Sequence, residues 1–85
     1  MVIWKFSIAI SSEITTISIP SMSHCCFVAM KDGDLCLWFQ VPDINNPKVV
    51  RKFQVFGTGG RIPDLRIYIG SVLQGPYVWH IYEVS

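Results

Sequence analysis

Phe56-Gly57-Thr58-Gly59-Gly60-Arg61-Ile62-Pro63 is the segment whose residue types and spacing bear most directly on chemistry. Glycines let backbone amides turn outward and approach an anion closely, and Arg61 brings a positive charge beside them. Thr58, Gly59, Gly60 and Arg61 are therefore candidate contacts for a phosphate-like group. The same residues also serve as a plain strand-to-strand turn in which Gly59 or Gly60 takes positive φ. The segment is not a nucleotide fingerprint. A P-loop needs Gly-x-x-x-x-Gly-Lys followed by Ser or Thr, and a dinucleotide fold needs its glycines between a strand and a helix.

Trp38, Trp79, Tyr68 and Tyr82 form a second constellation of flat rings on which a base could stack, an interaction worth about 1 to 3 kcal/mol per base. Core packing is the simpler use of any one of them. Catalysis finds little support. His24 and His80 are the only side chains titrating near neutrality, and neither sits in a motif with a nucleophile and a carboxylate. Cys25, Cys26 and Cys36 are odd in number and lack paired metal-ligand spacing, so no metal and no cofactor is expected. Free thiols fit a reduced, cytoplasmic setting.

The chain has 85 residues, enough for one domain that removes about 60 to 65% of its unfolded surface from water. Hydrophobic residues make up 51% and charged residues only 15%, well below the usual quarter. So few charges cannot cover a small monomer, and a homo-oligomer or a partner is expected to bury part of the apolar surface. No apolar run is long enough to cross a bilayer as a helix. Net charge is +1, unevenly spread. Residues 1–47 hold two lysines against four acids, while residues 48–85 hold Lys48, Arg51, Lys52, Arg61 and Arg66 against Asp64 and Glu83. The basic half contains the glycine segment, so Arg51 joins the candidate anion contacts. This cluster suits a small anionic ligand and falls short of the footprint of a duplex-binding domain.

The elements that must position these residues are strands. β-branched and aromatic residues dominate, and no stretch shows a 3.6-residue stripe. Residues 2–10 put Val2, Trp4, Phe6, Ile8 and Ile10 on one face and Lys5, Ser7 and Ala9 on the other. Ile17 and Ile19 face inward in a second strand that ends at Pro20. Residues 24–31 and 35–41 flank Asp32-Gly33-Asp34, a strong hairpin signal. After a loop with two prolines, residues 48–56 form a fifth strand, 66–73 a sixth and 77–84 a seventh, the last two joined at Gly75-Pro76. The seventh has partly apolar faces on both sides, which suits a central strand or one at a subunit interface. The expectation is a single all-β domain over residues 1–85, an antiparallel sandwich or barrel of about seven strands with little or no helix.

Leu35-Cys36-Leu37-Trp38, Val41-Pro42-Asp43, Arg51-Lys52-Phe53, Phe56-Gly57-Thr58-Gly59, Tyr68-Ile69-Gly70 and Val78-Trp79-His80-Ile81-Tyr82-Glu83 together resemble a family of short bacteriophage proteins of unknown function. Where members of that family often carry a histidine directly after Gly-Thr-Gly, this chain has Gly60 and Arg61. The resemblance implies a phage accessory product acting in the cytoplasm of an infected bacterium. With no catalytic group in view, the expected function is a sponge that sequesters a nucleotide-derived bacterial immune signal. Its phosphates would lie on Thr58, Gly59, Gly60, Arg61 and Arg51, and its base on Trp38, or on Trp79 and Tyr82. The alternatives are a protein-binding inhibitor of a host defence enzyme and a small virion or assembly component.

Overall fold

Side chains alternate across each strand, so each sheet gathers its more apolar side chains on one face, and two such faces must close on each other. The computed structural model describes residues 1–85 and contains seven strands and no helix: β1 (Val2–Ile8), β2 (Thr15–Pro20), β3 (His24–Lys31), β4 (Asp34–Val41), β5 (Lys48–Gly57), β6 (Arg66–Gln74) and β7 (Tyr77–Val84). They form two antiparallel sheets, β1-β4-β3 and β2-β5-β7-β6. The architecture is a sandwich rather than a closed barrel. β7 is central, between β5 and β6.

Leu35, Leu37, Phe39 and Val41 project from β4 onto Phe53 and Val55 of β5, Ile81 of β7 and Val72 of β6; Ile8, Ile17 and Ile19 complete the core. Phe39 and Phe53 meet edge to face at 5.9 Å between centroids and are fully buried. Each contributes about 1.5 to 3 kcal/mol through the area it removes from water. Pro20 ends β2, an edge strand, where a missing ladder donor is tolerated. Asp32 and Gly33, at φ 51° and 85°, form the two-residue turn that joins β3 to β4. Positive φ at both central positions matches the strand twist and favours Asp-Gly.

β1 stops at Ile8, two residues short of the alternating pattern, because its partner begins at Asp34 and the last pair is Ile8 with Leu35. Residues 9–14 then carry the chain across to the other sheet. β5 and β6 each run one residue beyond the sequence pattern, held by the pairs Gly57 with Trp79 and Gln74 with Tyr77.

Two bulges shape one side of the sandwich. Cys26 is the extra residue of β3 and Ile69 that of β6. These strands are the edges of different sheets and pack against each other where Gly70 meets Val28. The bulge at Ile69 also reverses the alternation of β6. Tyr68 lies opposite Tyr82 and Ser71 opposite His80, so both point outward although their numbers differ by three.

Candidate functional site

The glycine segment folds as a four-residue turn at the end of β5. The Gly60 N–H donates to the Gly57 carbonyl at 3.0 Å, and Gly59 at the third position takes φ 87°. That is a type II turn, whose third position demands glycine. The Gly60 amide is committed to closing it. Arg61, just beyond, is exposed.

Thr58 is tied down from the side. Its Oγ1 lies 2.9 Å from His80 Nε2, His80 Nδ1 lies 2.8 Å from Ser71 Oγ, and Ser71 Oγ lies 2.7 Å from the Tyr68 hydroxyl. This relay links the turn, β7 and β6 in one row. Both His80 ring nitrogens are engaged by hydroxyls, so the imidazole orders its neighbours, and Tyr68 is held by its outer end.

Beside the turn a groove of about 370 Å³ opens where β2 leaves β5 uncovered. The last pair between those strands is Thr15 with Phe53, so residues 54–57 of β5 face the chain crossing between the sheets instead of a strand. Ile10, Ser11 and Ser12 form one wall; Gln54, Phe56 and Trp79 form the other, with Gly57 between. Gln54 is fixed from both ends: its Nε2 donates to the Ser12 carbonyl at 2.9 Å, and its Oε1 accepts from Arg66 Nε at 3.1 Å. Trp79 stacks on Tyr77 at 5.5 Å and donates from Nε1 to Gln74 Oε1 at 2.8 Å. A Cβ on Gly57 would stand 3.4 Å from the indole, so the absence of a side chain there leaves the ring its place.

The sequence candidates therefore separate. Thr58, Gly59, Gly60 and Arg61 share one end of the four-stranded sheet with Trp79. Tyr82 lies on the outer face of the same sheet, in edge-to-face contact with Phe56 at 5.6 Å and Tyr68 at 5.4 Å. Trp38 is on the outer face of the other sheet, 5.4 Å from Phe27. Arg51 is six residues before Gly57, about 20 Å along the strand, and points between the sheets. Its Nε and Nη2 each donate to Glu83 at 2.7 Å, its Nη1 donates to the Ser23 carbonyl, and its guanidinium lies 5.3 Å over the Phe39 ring. The Glu83 hydrogen bonds raise the Arg51 pKa above its ordinary value. With all three guanidinium nitrogens engaged inside the fold and the glycine turn far off, Arg51 and Trp38 are not brought to the turn.

Two smaller cavities line the seam between β3 and β6, one of about 320 Å³ around Cys26 and Gly70, the other of about 280 Å³ around Arg51 and Glu83. Burial raises the Cys25 thiol pKa. No three His, Cys, Asp or Glu side chains gather where they could hold a metal ion. The groove residues Ile10, Ser11, Ser12 and Gln54 carry no motif that marks them in the sequence, whereas Phe56 opens the glycine segment. Ser71 was hidden because alternation without a bulge turns it inward.

No curated protein and no solved structure matches the chain. A family described as a domain of unknown function, DUF7352, matches residues 1–85, and the chain belongs to that family.

Proposed function

We propose that this protein is a non-enzymatic binder that captures a nucleotide-like anion at the glycine-turn end of the four-stranded sheet. In the infected bacterium that the sequence resemblance implies, the captured molecule is a nucleotide-derived immune signal and the protein acts by holding it. The observation that carries this reading is the groove of about 370 Å³ walled by Trp79 and Phe56 next to the turn. Its volume lies within the range of small-ligand pockets, where aromatic walls and a few polar groups are the rule. Gln54, Ser11 and Ser12 supply the polar groups, and Arg61, exposed just past the turn, is the cation proposed to meet the anion. Tyr82 acts through Phe56, whose ring it buttresses. Capture without turnover needs no nucleophile or general base, and the His80 relay is engaged in positioning.

Native mass spectrometry of the protein incubated with a panel of mono- and dinucleotides, linear and cyclic, tests the proposal. The expected result is one retained mass, released unchanged, and lost or weakened at least tenfold in Trp79→Ala and Arg61→Ala. A protein that retains none of the panel overturns the reading. The same spectra report whether the protein is the homo-oligomer its low charge suggests.

The second reading, an inhibitor that binds a host defence protein, draws on β6 and its approach, where Leu65, Ile67 and Leu73 stand exposed on an edge strand. It predicts that Leu73→Lys abolishes capture of the partner while nucleotide retention is unaffected.

A further inference from the structure

The outer face of the four-stranded sheet meets the groove at Gln54 and Phe56 and extends away from it across β5, β7 and β6. Its residues follow from the register. One row runs Thr16, Lys52, Val84, Arg66; the next contains Gln54, Tyr82 and Tyr68; the next Phe56, His80 and Ser71. Lys48 extends the basic end of the face along β5. Three cations thus stand on this face. None of the six acidic residues does: Glu83 turns inward onto Arg51, Glu13 and Asp64 are in connecting segments, and Asp32, Asp34 and Asp43 belong to the other sheet and its loops.

Next to the cations lies a chain of three rings, Phe56, Tyr82 and Tyr68, each tilted steeply against the next. Edge-to-face packing leaves every ring a face of its own. Tyr68 is 56% exposed, yet its hydroxyl is held by Ser71 and through it by His80 and Thr58. A large exposed ring held in one orientation by a four-residue relay is prepared for stacking, since little side-chain entropy remains to be lost on contact.

We propose that this face binds single-stranded nucleic acid, with Tyr68 and its neighbouring rings stacking bases and Lys48, Lys52 and Arg66 contacting the backbone. Cations without carboxylates match a polyanion, and rings on an open sheet accept any base by its π-face. The patch is too flat and too weakly basic to track both strands of a duplex. The proposal shares Phe56 with the groove, but Tyr68, Lys48, Lys52 and Arg66 lie on the opposite side of the sheet from Trp79.

Fluorescence anisotropy with fluorescein-labelled 12-mers of dT and rU, against a 12-base-pair duplex, tests it. Saturable binding of a single strand is expected, with weaker duplex binding and a slope of log K against log salt of about −2, corresponding to three phosphate contacts. Tyr68→Ala is expected to weaken binding at least fivefold, as about 1 kcal/mol or more of stacking implies. Lys52→Glu is expected to weaken binding and flatten the salt slope. Both side chains are exposed, so circular dichroism and thermal melting should match the parent protein. Trp79→Ala should leave oligonucleotide binding intact, which separates this surface from the nucleotide groove. The proposal is overturned by no binding of either 12-mer at 50 mM salt, by equal affinity for the duplex, by indifference to Tyr68→Ala, or by loss on Trp79→Ala alone. A concentration-dependent dimer abolished by Tyr68→Ala, without oligonucleotide binding, would overturn it in favour of a second copy of the chain.

Discussion

A Cβ placed on Gly70 would stand 2.7 Å from Cγ2 of Val28, so the two sheets touch at a point where only hydrogen fits. Valine is stiff at χ1 and cannot swing its methyl aside cheaply. Gly70→Ala is expected to destabilise the domain by about 1 to 3 kcal/mol, the usual cost of overpacking. Adding Val28→Ala should return part of the loss, and the non-additive term in a double-mutant cycle read by urea unfolding measures the contact. Additive effects would mean that the seam is not closed by this pair.

Arg51 and Glu83 form a two-bond pair with side chains only 21% and 18% exposed. Glu83→Ala leaves the guanidinium between the sheets without its partner. The expected loss is about 2 to 4 kcal/mol, between the values for surface and fully buried pairs. Arg51→Met with Glu83→Gln removes both charges and is expected to lose less than Glu83→Ala alone. Because Glu83 raises the Arg51 pKa, the arginine's contribution is complete below its unfolded pKa and declines only as pH passes the folded value. Arginine stays protonated throughout the ordinary working range and Glu83 only raises its pKa, so chemical denaturation between about pH 7 and 10 should show no loss from this group.

Gly59 has open space where a Cβ would go, but its φ of 87° strains any L-residue. Gly59→Ala is therefore expected to cost about 1 to 2 kcal/mol, and Gly59→Asn less, since asparagine tolerates the left-handed region. Thermal melting of the two variants checks the order. Equal melting temperatures would show that the turn changes type without strain.

Three free cysteines sit at three depths, Cys26 exposed, Cys25 half-buried and Cys36 about 1% accessible. Burial raises the Cys25 pKa and disfavours its thiolate. Timed iodoacetamide labelling at pH 8, followed by peptide mapping, is expected to modify Cys26 first, Cys25 at least tenfold more slowly, and Cys36 only on unfolding. A thiol with a raised folded pKa contributes stability that is complete below its unfolded pKa and falls as pH rises through it. Cys25→Ser should accordingly flatten any loss of stability between about pH 8 and 10.

Period-two alternation in residues 2–10 and 77–84, looser alternation in residues 14–19, and the Asp32-Gly33 turn are local properties of the chain, and they determined an all-β domain, though not the strand ends. The partly apolar faces of residues 77–84 suited a central strand or one at a subunit interface, and pairing with both β5 and β6 makes β7 central. Positive φ at Gly59 or Gly60 was legible because a tight turn leaves few residues that fit, and the structure puts it at Gly59. What local pattern could not carry was the pairing of β5 with both β2 and β7, since such contacts join residues far apart in sequence. That pairing sends Arg51 inward to Glu83 and puts Trp38 and Trp79 on different sheets. It also leaves residues 54–57 uncovered, which makes the groove. The bulge at Ile69 was equally invisible: one extra residue turns Ser71 outward, and only the opposing strand, which counts residues in register, decides where that residue goes.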